Sequence, residues 1–311
     1  MPKIKVFLIG TGHLGSKHLK TYLELSDKVE ILGLTDINEQ KGVEISRKYR
    51  VPYFKNYRQF PKETNAVNIC TPTISHYEIA KFFLKKNIHT FIEKPITTTV
   101  KQANELIKIA QKNNLKLQIG HIERFNSAFQ ATKRFMRNPL FIECHRLNHF
   151  PNRSLDIGVI LDLMIHDIDI ILGLVPSKIK NIEATGINVL TNLEDIASVR
   201  ITFHNGCVCN LTASRISEDI VRKIRIFQKN TYISLDYVQQ EAFIYKKESN
   251  RILKHSLPIE KEQPLKQELA HFIDCIENNK NPLVSGIEGR EALKVALTIT
   301  KKIWDNNTNI L

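Results

Sequence analysis

The apolar run Val6-Phe7-Leu8-Ile9 breaks into Gly10-Thr11-Gly12-His13-Leu14-Gly15 and passes at once into a helical pattern. No other stretch narrows the fold as far, because a strand, a three-glycine turn and a helix in that register commit the chain to a βαβ unit. The first glycine admits a tight turn, the second lets backbone approach a pyrophosphate, and the third lets helix and strand pack closely. The helix start adds free N–H groups and a positive dipole end. Asp36 closes the next apolar run, 21 residues beyond Gly15, where a carboxylate accepts hydrogen bonds from ribose hydroxyls and repels a 2′-phosphate. Gly10, Gly12, His13, Leu14, Gly15 and Asp36 therefore read as a dinucleotide site that prefers NAD to NADP.

Strands and helices alternate through the first third. Strands are expected at Lys3–Ile9, Val29–Thr35, Ala66–Cys70, His89–Ile92 and Lys116–Gly120, and helices at His13–Leu25, Glu39–Tyr49, Ser75–Lys86 and Val100–Asn113. That rhythm predicts a parallel sheet. Beyond residue 124 it changes: a helix at Ala128–Met136, a strand at Phe141–Leu147 and a helix at Val159–Leu172 lead into consecutive strand-like runs. These lie at Ile179–Leu190, Ala197–Phe203, Val208–Ser214, Lys223–Gln228, Thr231–Asp236 and Glu241–Lys246, and helices at Pro264–Asn278 and Glu288–Asp305 close the chain. The expected architecture is α/β: a dinucleotide-binding Rossmann domain over 1–123, then an α+β domain over 124–311 on a mostly antiparallel sheet, for substrate binding and oligomerisation. Whether the last helix returns to the first domain stays open.

The formal charge of +13 comes from lysines and arginines spread along the chain in small groups such as Lys85-Lys86 and Lys301-Lys302. A nucleic-acid binder gathers them in a stripe with aromatics between, so no nucleic-acid partner is expected; an overall positive field suits anionic ligands. No apolar run approaches the ~18 residues of a membrane span, and Val6–Ile9 is too short for a signal peptide. No membrane association and a cytoplasmic location are expected. Cys70, Cys144, Cys207, Cys209 and Cys275 are odd in number and lack paired spacing, which points to reduced thiols and to no metal site.

Two further constellations carry chemistry. Lys94, in Glu93-Lys94-Pro95, ends the fourth strand, at the sheet edge where ligands of such folds bind, and proline after it favours extended backbone. On residues alone it is equally a surface lysine. Asp162 and His166 are four apart and share a helix face, the pairing needed to take a proton from an alcohol. A self-satisfied core pair, or a metal site with His145 or His149, are the other readings. Asp167 and Asp169 fall on other faces, Asp169 as a structural or surface charge.

Taken together, these residues resemble the glucose–fructose oxidoreductase/inositol dehydrogenase/MocA (Gfo/Idh/MocA) family of NAD(P)-dependent dehydrogenases, over nearly the whole chain: Gly10–Gly15, Thr71-Pro72-Thr73 with His76, Glu93-Lys94-Pro95 and Asp162-x-x-x-His166-Asp167. The resemblance implies Lys94, Asp162 and His166 as the catalytic group: His166 as general base on a substrate hydroxyl, Lys94 polarising that oxygen, Asp162 positioning substrate. It implies Thr71, Pro72, His76 and Glu93 as cofactor borders, and homodimers or homotetramers packed through the second sheet. Gly120-His121-Ile122-Glu123-Arg124-Phe125-Asn126 and Asp156–His166 look like the branch that includes UDP-N-acetylglucosamine 3-dehydrogenases of lipid A synthesis. Ser127 and Met164 depart from patterns common there and in the wider family. Arg124 and Asn126 are candidate substrate contacts, or simply begin a helix. The expected substrate is a sugar or nucleotide sugar, with a free polyol or a non-catalytic NAD-sensing role as alternatives. Arg146, Arg153, Arg215 and Arg222 are candidate phosphate-binding cations.

Overall fold

The computed structural model describes residues 2–150, 157–249 and 251–308. It contains two compact units, one of residues 1–122 with 263–290 and the other of 123–262 with 291–311. Sequence reading draws a single cut after residue 123; the structure instead gives Gln263–Arg290 to the first unit.

The first unit holds a five-stranded sheet in the order β2-β1-β3-β4-β5, from β1 (Ile4–Ile9), β2 (Val29–Thr35), β3 (Ala66–Ile69), β4 (His89–Glu93) and β5 (Leu117–Gly120). Every pairing is parallel. Helices α1 (His13–Glu24), α2 (Glu39–Tyr49), α3 (Thr73–Leu84) and α4 (Val100–Lys112) lie between the strands in sequence. Their ends follow local chemistry. Asn38 caps α2 through the Lys41 N–H and Thr99 caps α4 through the Gln102 N–H, each satisfying a donor the helix leaves open. The late helix α7 (Pro264–Glu277) completes this unit: Leu269, Phe272 and Ile273 pack with Val6, Tyr22, Ala66 and Phe91 in one buried cluster. That burial is why the segment belongs here.

The second unit is built on an eight-stranded sheet in the order β13-β12-β11-β10-β6-β9-β8-β7. Its strands are β6 (Phe141–Leu147), β7 (Ile179–Ile187), β8 (Ile196–Phe203), β9 (Val208–Ser214), β10 (Val221–Gln228), β11 (Thr231–Asp236), β12 (Glu241–Glu248) and β13 (Arg251–Ser256). All pairs are antiparallel except β6–β9. Alternation along β6 and β8 puts one face on a core shared with Ile160, Met164, Ile165, Ile168, Ala292, Ala296 and Ile299. Helix α5 (Ser127–Lys133) precedes the sheet, and α8 (Gly286–Thr308) runs through the boundary at residues 290–291.

The expected α-helix at Val159–Leu172 differs. Ile160–Met164 form a π-turn and only Ile165–Leu174, α6, is α-helical. Asp162 lies in the π-turn and His166 in α6, so the four-residue spacing falls short of a full turn where i→i+5 bonding widens the helix.

Candidate active site

The three glycines of the turn owe their identity to different neighbours. Gly10 adopts φ +89°, and a Cβ there would stand 2.7 Å from the Cys70 carbonyl oxygen. A Cβ on Gly15 would overlap the Gly10 carbonyl oxygen. Both positions are closed to larger residues by the chain itself. Gly12 is not: its φ is −59° and nothing lies within 4 Å of the place its Cβ would take. Gly12 precedes α1 without a side-chain cap bond and without an acidic residue in the first turn, so the positive dipole end of the helix is left uncompensated by side chains beside that open space. His13 is exposed and Leu14 half-buried beside it. This open cradle fits the pyrophosphate of a dinucleotide.

Asp36 is more occupied than the sequence suggests. Its Oδ2 accepts from the Thr11 N–H at 2.6 Å and the Thr11 hydroxyl at 2.8 Å, and Oδ1 accepts from the Asn38 N–H at 2.8 Å. Asp36 thus fastens the turn to the end of β2, and one of its roughly four acceptor positions is left for a ribose hydroxyl.

Behind the turn lies a polar hub that sequence reading missed. The Asn68 Oδ1 accepts from the Tyr22 hydroxyl at 3.0 Å and faces His18 Nδ1 at 3.2 Å, while its Nδ2 donates to Cys70 Sγ at 3.0 Å. His18 Nε2 meets Glu93 Oε1 at 2.9 Å. Burial opposes charge on His18, but Cys70 and Glu93 raise its pKa well above the ordinary value. Burial likewise pushes Glu93 up, and the hydrogen bond and charge of His18, with Lys94 and His76, bring it below the usual carboxylate range. Burial lifts the Cys70 thiol despite His18. The one sequence signal was a polar residue, His18, on the apolar stripe of α1 with Leu19 and Tyr22; such a residue needs a partner.

Glu93 and His76 were expected at the cofactor's border, and the structure gives both internal work. His76 is buried, its two ring nitrogens each 2.8 Å from a carbonyl oxygen, of Pro95 and of Thr71. Burial pulls its pKa down against the two carbonyls and Glu93, which favour the protonated ring. It ties the start of α3 to the loop after β4. Thr71 is half-buried, its Oγ1 accepting from Ser75, and Pro72 is exposed at the head of α3. Lys94 is half-buried, follows the buried Glu93, and precedes Pro95 through a cis peptide.

In the second unit Asp162 and His166 are both half-buried, with His166 Nδ1 out of reach of solvent. Lys94 belongs to the first unit and these two to the second. Arg124 and Asn126, expected as substrate contacts, are committed elsewhere. Arg124 Nε and Nη2 grip both Asp169 oxygens at 2.6 and 3.0 Å, and a Cβ on Gly173 would overlap its guanidinium. Asn126 is buried, caps α5 through the Ala128 N–H and donates to the Tyr237 carbonyl oxygen. Both side chains are buried and bonded within the unit, which gives them structural work at these positions.

The candidate phosphate cations fare similarly. Arg146 is buried, paired with both Asp167 oxygens and with Glu123 Oε1, all at 2.8 Å. Arg215 is buried against Asp195 at 2.8 Å. Arg222 lies on β10, and Arg153 and Asp156 fall outside the described residues. Asp167 and Asp169 on α6 thus serve as buried anchors for arginines from other segments. The five cysteines are free thiols, and among the described residues no helix is long and apolar enough to cross a membrane.

Comparison with known proteins adds the following. A family profile described as an oxidoreductase family with an NAD-binding Rossmann fold matches residues 4–121, and one for the GFO/IDH/MocA C-terminal domain matches 116–230. The chain is 33% identical over 306 residues to UDP-N-acetylglucosamine 3-dehydrogenase of Acidithiobacillus ferrooxidans, covering 96% of this chain and 97% of that one. It is 25% identical over 330 residues to myo-inositol 2-dehydrogenase of Thermotoga maritima, covering 98% of each. A solved structure of the Acidithiobacillus enzyme superposes with a TM-score of 0.92 at 32% identity, covering 97% of this chain and 98% of that one. Levoglucosan dehydrogenase in complex with NADH and L-sorbose shares the fold, at a TM-score of 0.90 and 17% identity over 98% of each chain.

Proposed function

We propose, from the premise that this chain belongs to the GFO/IDH/MocA family of NAD-binding oxidoreductases, that it oxidises the 3-hydroxyl of a UDP-N-acetylhexosamine to a ketone. The observation that carries this substrate is the full-length similarity, at 33% identity, to an enzyme named for that reaction. The cofactor is NAD. Gly10, Gly12, His13, Leu14, Gly15 and Asp36 would hold it, with Thr71 and Pro72 at its border. When bound, NAD supplies the acceptor for the hydride leaving the alcohol carbon.

The chain's own residues handle the proton. His166 is the general base; with Nδ1 buried, Nε2 is the nitrogen that takes the hydroxyl proton. The Lys94 ammonium donates a hydrogen bond to the same substrate oxygen and stabilises the negative charge that develops there. Asp162 accepts from a substrate hydroxyl and favours the imidazolium formed on His166. Amination of the 3-keto product, towards an amide-linked lipid A, would follow in the cytoplasm.

A free polyol is the second reading: the chain is also 25% identical to a myo-inositol 2-dehydrogenase, and two of the candidate phosphate cations, Arg146 and Arg215, are committed to internal carboxylates. NADH absorbance measured with purified protein against UDP-sugars, inositols and free hexoses separates the two. Turnover with UDP-N-acetylglucosamine supports the first; a signal confined to polyols sinks it.

Self-association through the second sheet also belongs to this reading. Phe141, Phe227, Tyr232 and Tyr245 form a ladder across four strands, with centroid spacings of 5.6, 4.7 and 4.9 Å. It lies on the face opposite the buried Ile142, Ile226, Ile233 and Ile244. A half-exposed aromatic face of this kind suits a second copy of the chain.

A further inference from the structure

We infer a binding site for a borderline-soft divalent cation of the Zn²⁺ class, formed by His18 Nε2, Cys70 Sγ and a Glu93 carboxylate oxygen. The donor atoms of these three residues all lie within 4.8 Å of one another, and no other such set of three occurs among the described residues. One imidazole nitrogen, one thiolate and one carboxylate are ligands this class of ion accepts, and three protein donors leave the fourth tetrahedral position open. The residues come from α1, the end of β3 and the end of β4, so no sequence spacing announces the site.

The surroundings are those a metal site needs. The Tyr22 hydroxyl can only donate to the Asn68 Oδ1 it shares with His18 Nδ1, if the amide is placed so that Nδ2 meets Cys70 Sγ. His18 then keeps a proton on Nδ1 toward Asn68, and loss of the Nε2 proton held against Glu93 Oε1 turns that nitrogen's lone pair toward an entering ion. A ligating histidine held through its other ring nitrogen is the recurring arrangement at metal centres. Asn68 thus orients two ligands at once. Charge also balances: a thiolate and a carboxylate neutralise a divalent ion, so binding buries no net charge. The thiol proton, and any proton on His18 Nε2, leave to solvent as the ion enters. Cys70 is half-buried, the most accessible of the three ligands.

The site has a consequence for the turn above it. The Cys70 carbonyl lies against Gly10 and its Cβ against Gly15, while Glu93 directly precedes Lys94. An ion here joins the floor of the dinucleotide turn to the strand end that carries Lys94. The inference stands apart from the substrate proposed above.

Titration of the full chain, stripped of metal by chelation, with Co²⁺ as spectroscopic stand-in tests it. Saturation at one equivalent is expected, with a thiolate-to-cobalt charge-transfer band and four-coordinate visible bands that Zn²⁺ displaces. Cys70→Ala should lose the charge-transfer band, and Cys275→Ala should keep it. X-ray absorption of the Zn²⁺-loaded wild type should show a single sulfur neighbour, a result that needs no variant to fold. Absence of the band from folded wild type, its survival in Cys70→Ala, or two sulfur neighbours, as the Cys207–Cys209 pair would give, overturns the inference.

Discussion

Gly12→Ala separates ligand space from packing space. With φ −59° and no atom within 4 Å of the new methyl, the folded chain resists it little. Loss of unfolded-state freedom stabilises by about 0.4–1 kcal/mol, and alanine is a poorer helix N-cap than glycine by a similar amount. The two offset to within about 1 kcal/mol, a shift of no more than a few degrees in Tm. Binding should suffer far more. A methyl in the cradle keeps a phosphate from the α1 N–H groups, and a hydrogen bond to a charged group contributes about 1.5–3 kcal/mol, so Kd for NADH should rise roughly 10- to 150-fold. Gly15→Ala is the contrast: its methyl collides with the Gly10 carbonyl, and overpacking of that kind costs about 1–3 kcal/mol or more. Thermal unfolding without ligand and fluorescence titration with NADH read the two quantities separately. Gly12→Ala that binds NADH as tightly as wild type would refute the assignment of that space to the pyrophosphate.

Four further outcomes are expected. Lys94→Ala and His166→Ala should each lower kcat by about 10²–10⁴-fold while Kd for NADH changes little; full turnover in both would remove them from the chemistry. Arg124→Met should destabilise by about 3–5 kcal/mol in urea unfolding, because Asp169 is left buried and unpaired, and Arg124→Met/Asp169→Leu should recover much of it; a raised KM with unchanged stability would instead restore Arg124 as a substrate contact. His89, whose pKa burial and then the Lys116 charge lower from 6.5 to about 4, binds its proton more readily unfolded, so its contribution is complete above pH 6.5 and is lost as pH falls from there to about 4. His89→Asn, whose side-chain oxygen can take the Lys116 N–H bond made by Nδ1, should flatten that part of the Tm-against-pH curve, and an unchanged slope would contradict this. Tyr232→Lys should lower the mass seen by light scattering if the aromatic ladder is an interface; an unchanged mass removes it.

The elements that sequence patterning placed best are those with a strong period or a clear stop. Val29–Thr35, Glu39–Tyr49, Phe141–Leu147, Val208–Ser214 and Thr231–Asp236 have the bounds expected. Strand β13 escaped notice because all six of its residues are exposed, so it has no alternation to read. The π-turn escaped because one extra residue per turn within the largely apolar stretch Ile160–Met164 leaves composition unchanged. In the site, the glycine turn was legible as a local pattern, whereas the fates of Arg124 and Arg146 were not: their carboxylates lie 45 and 21 residues away. A basic residue in a sequence looks the same whether it awaits an anion or already holds one. The His18–Asn68–Cys70–Glu93 hub was hidden for the same reason, being assembled from a helix and two strand ends.

The return of α7 to the first unit also sets a timetable for biosynthesis. Leu269, Phe272 and Ile273 share a core with Val6, Tyr22 and Phe91, so the ribosome must deliver some 270 residues before the oldest part of the chain can bury that face. At about 5–20 residues per second, the N-terminal strands wait of the order of ten seconds or more with apolar surface uncovered. During that interval the nascent chain depends on chaperones or on provisional contacts, and a product stopped short of α7 would carry the exposed face for good.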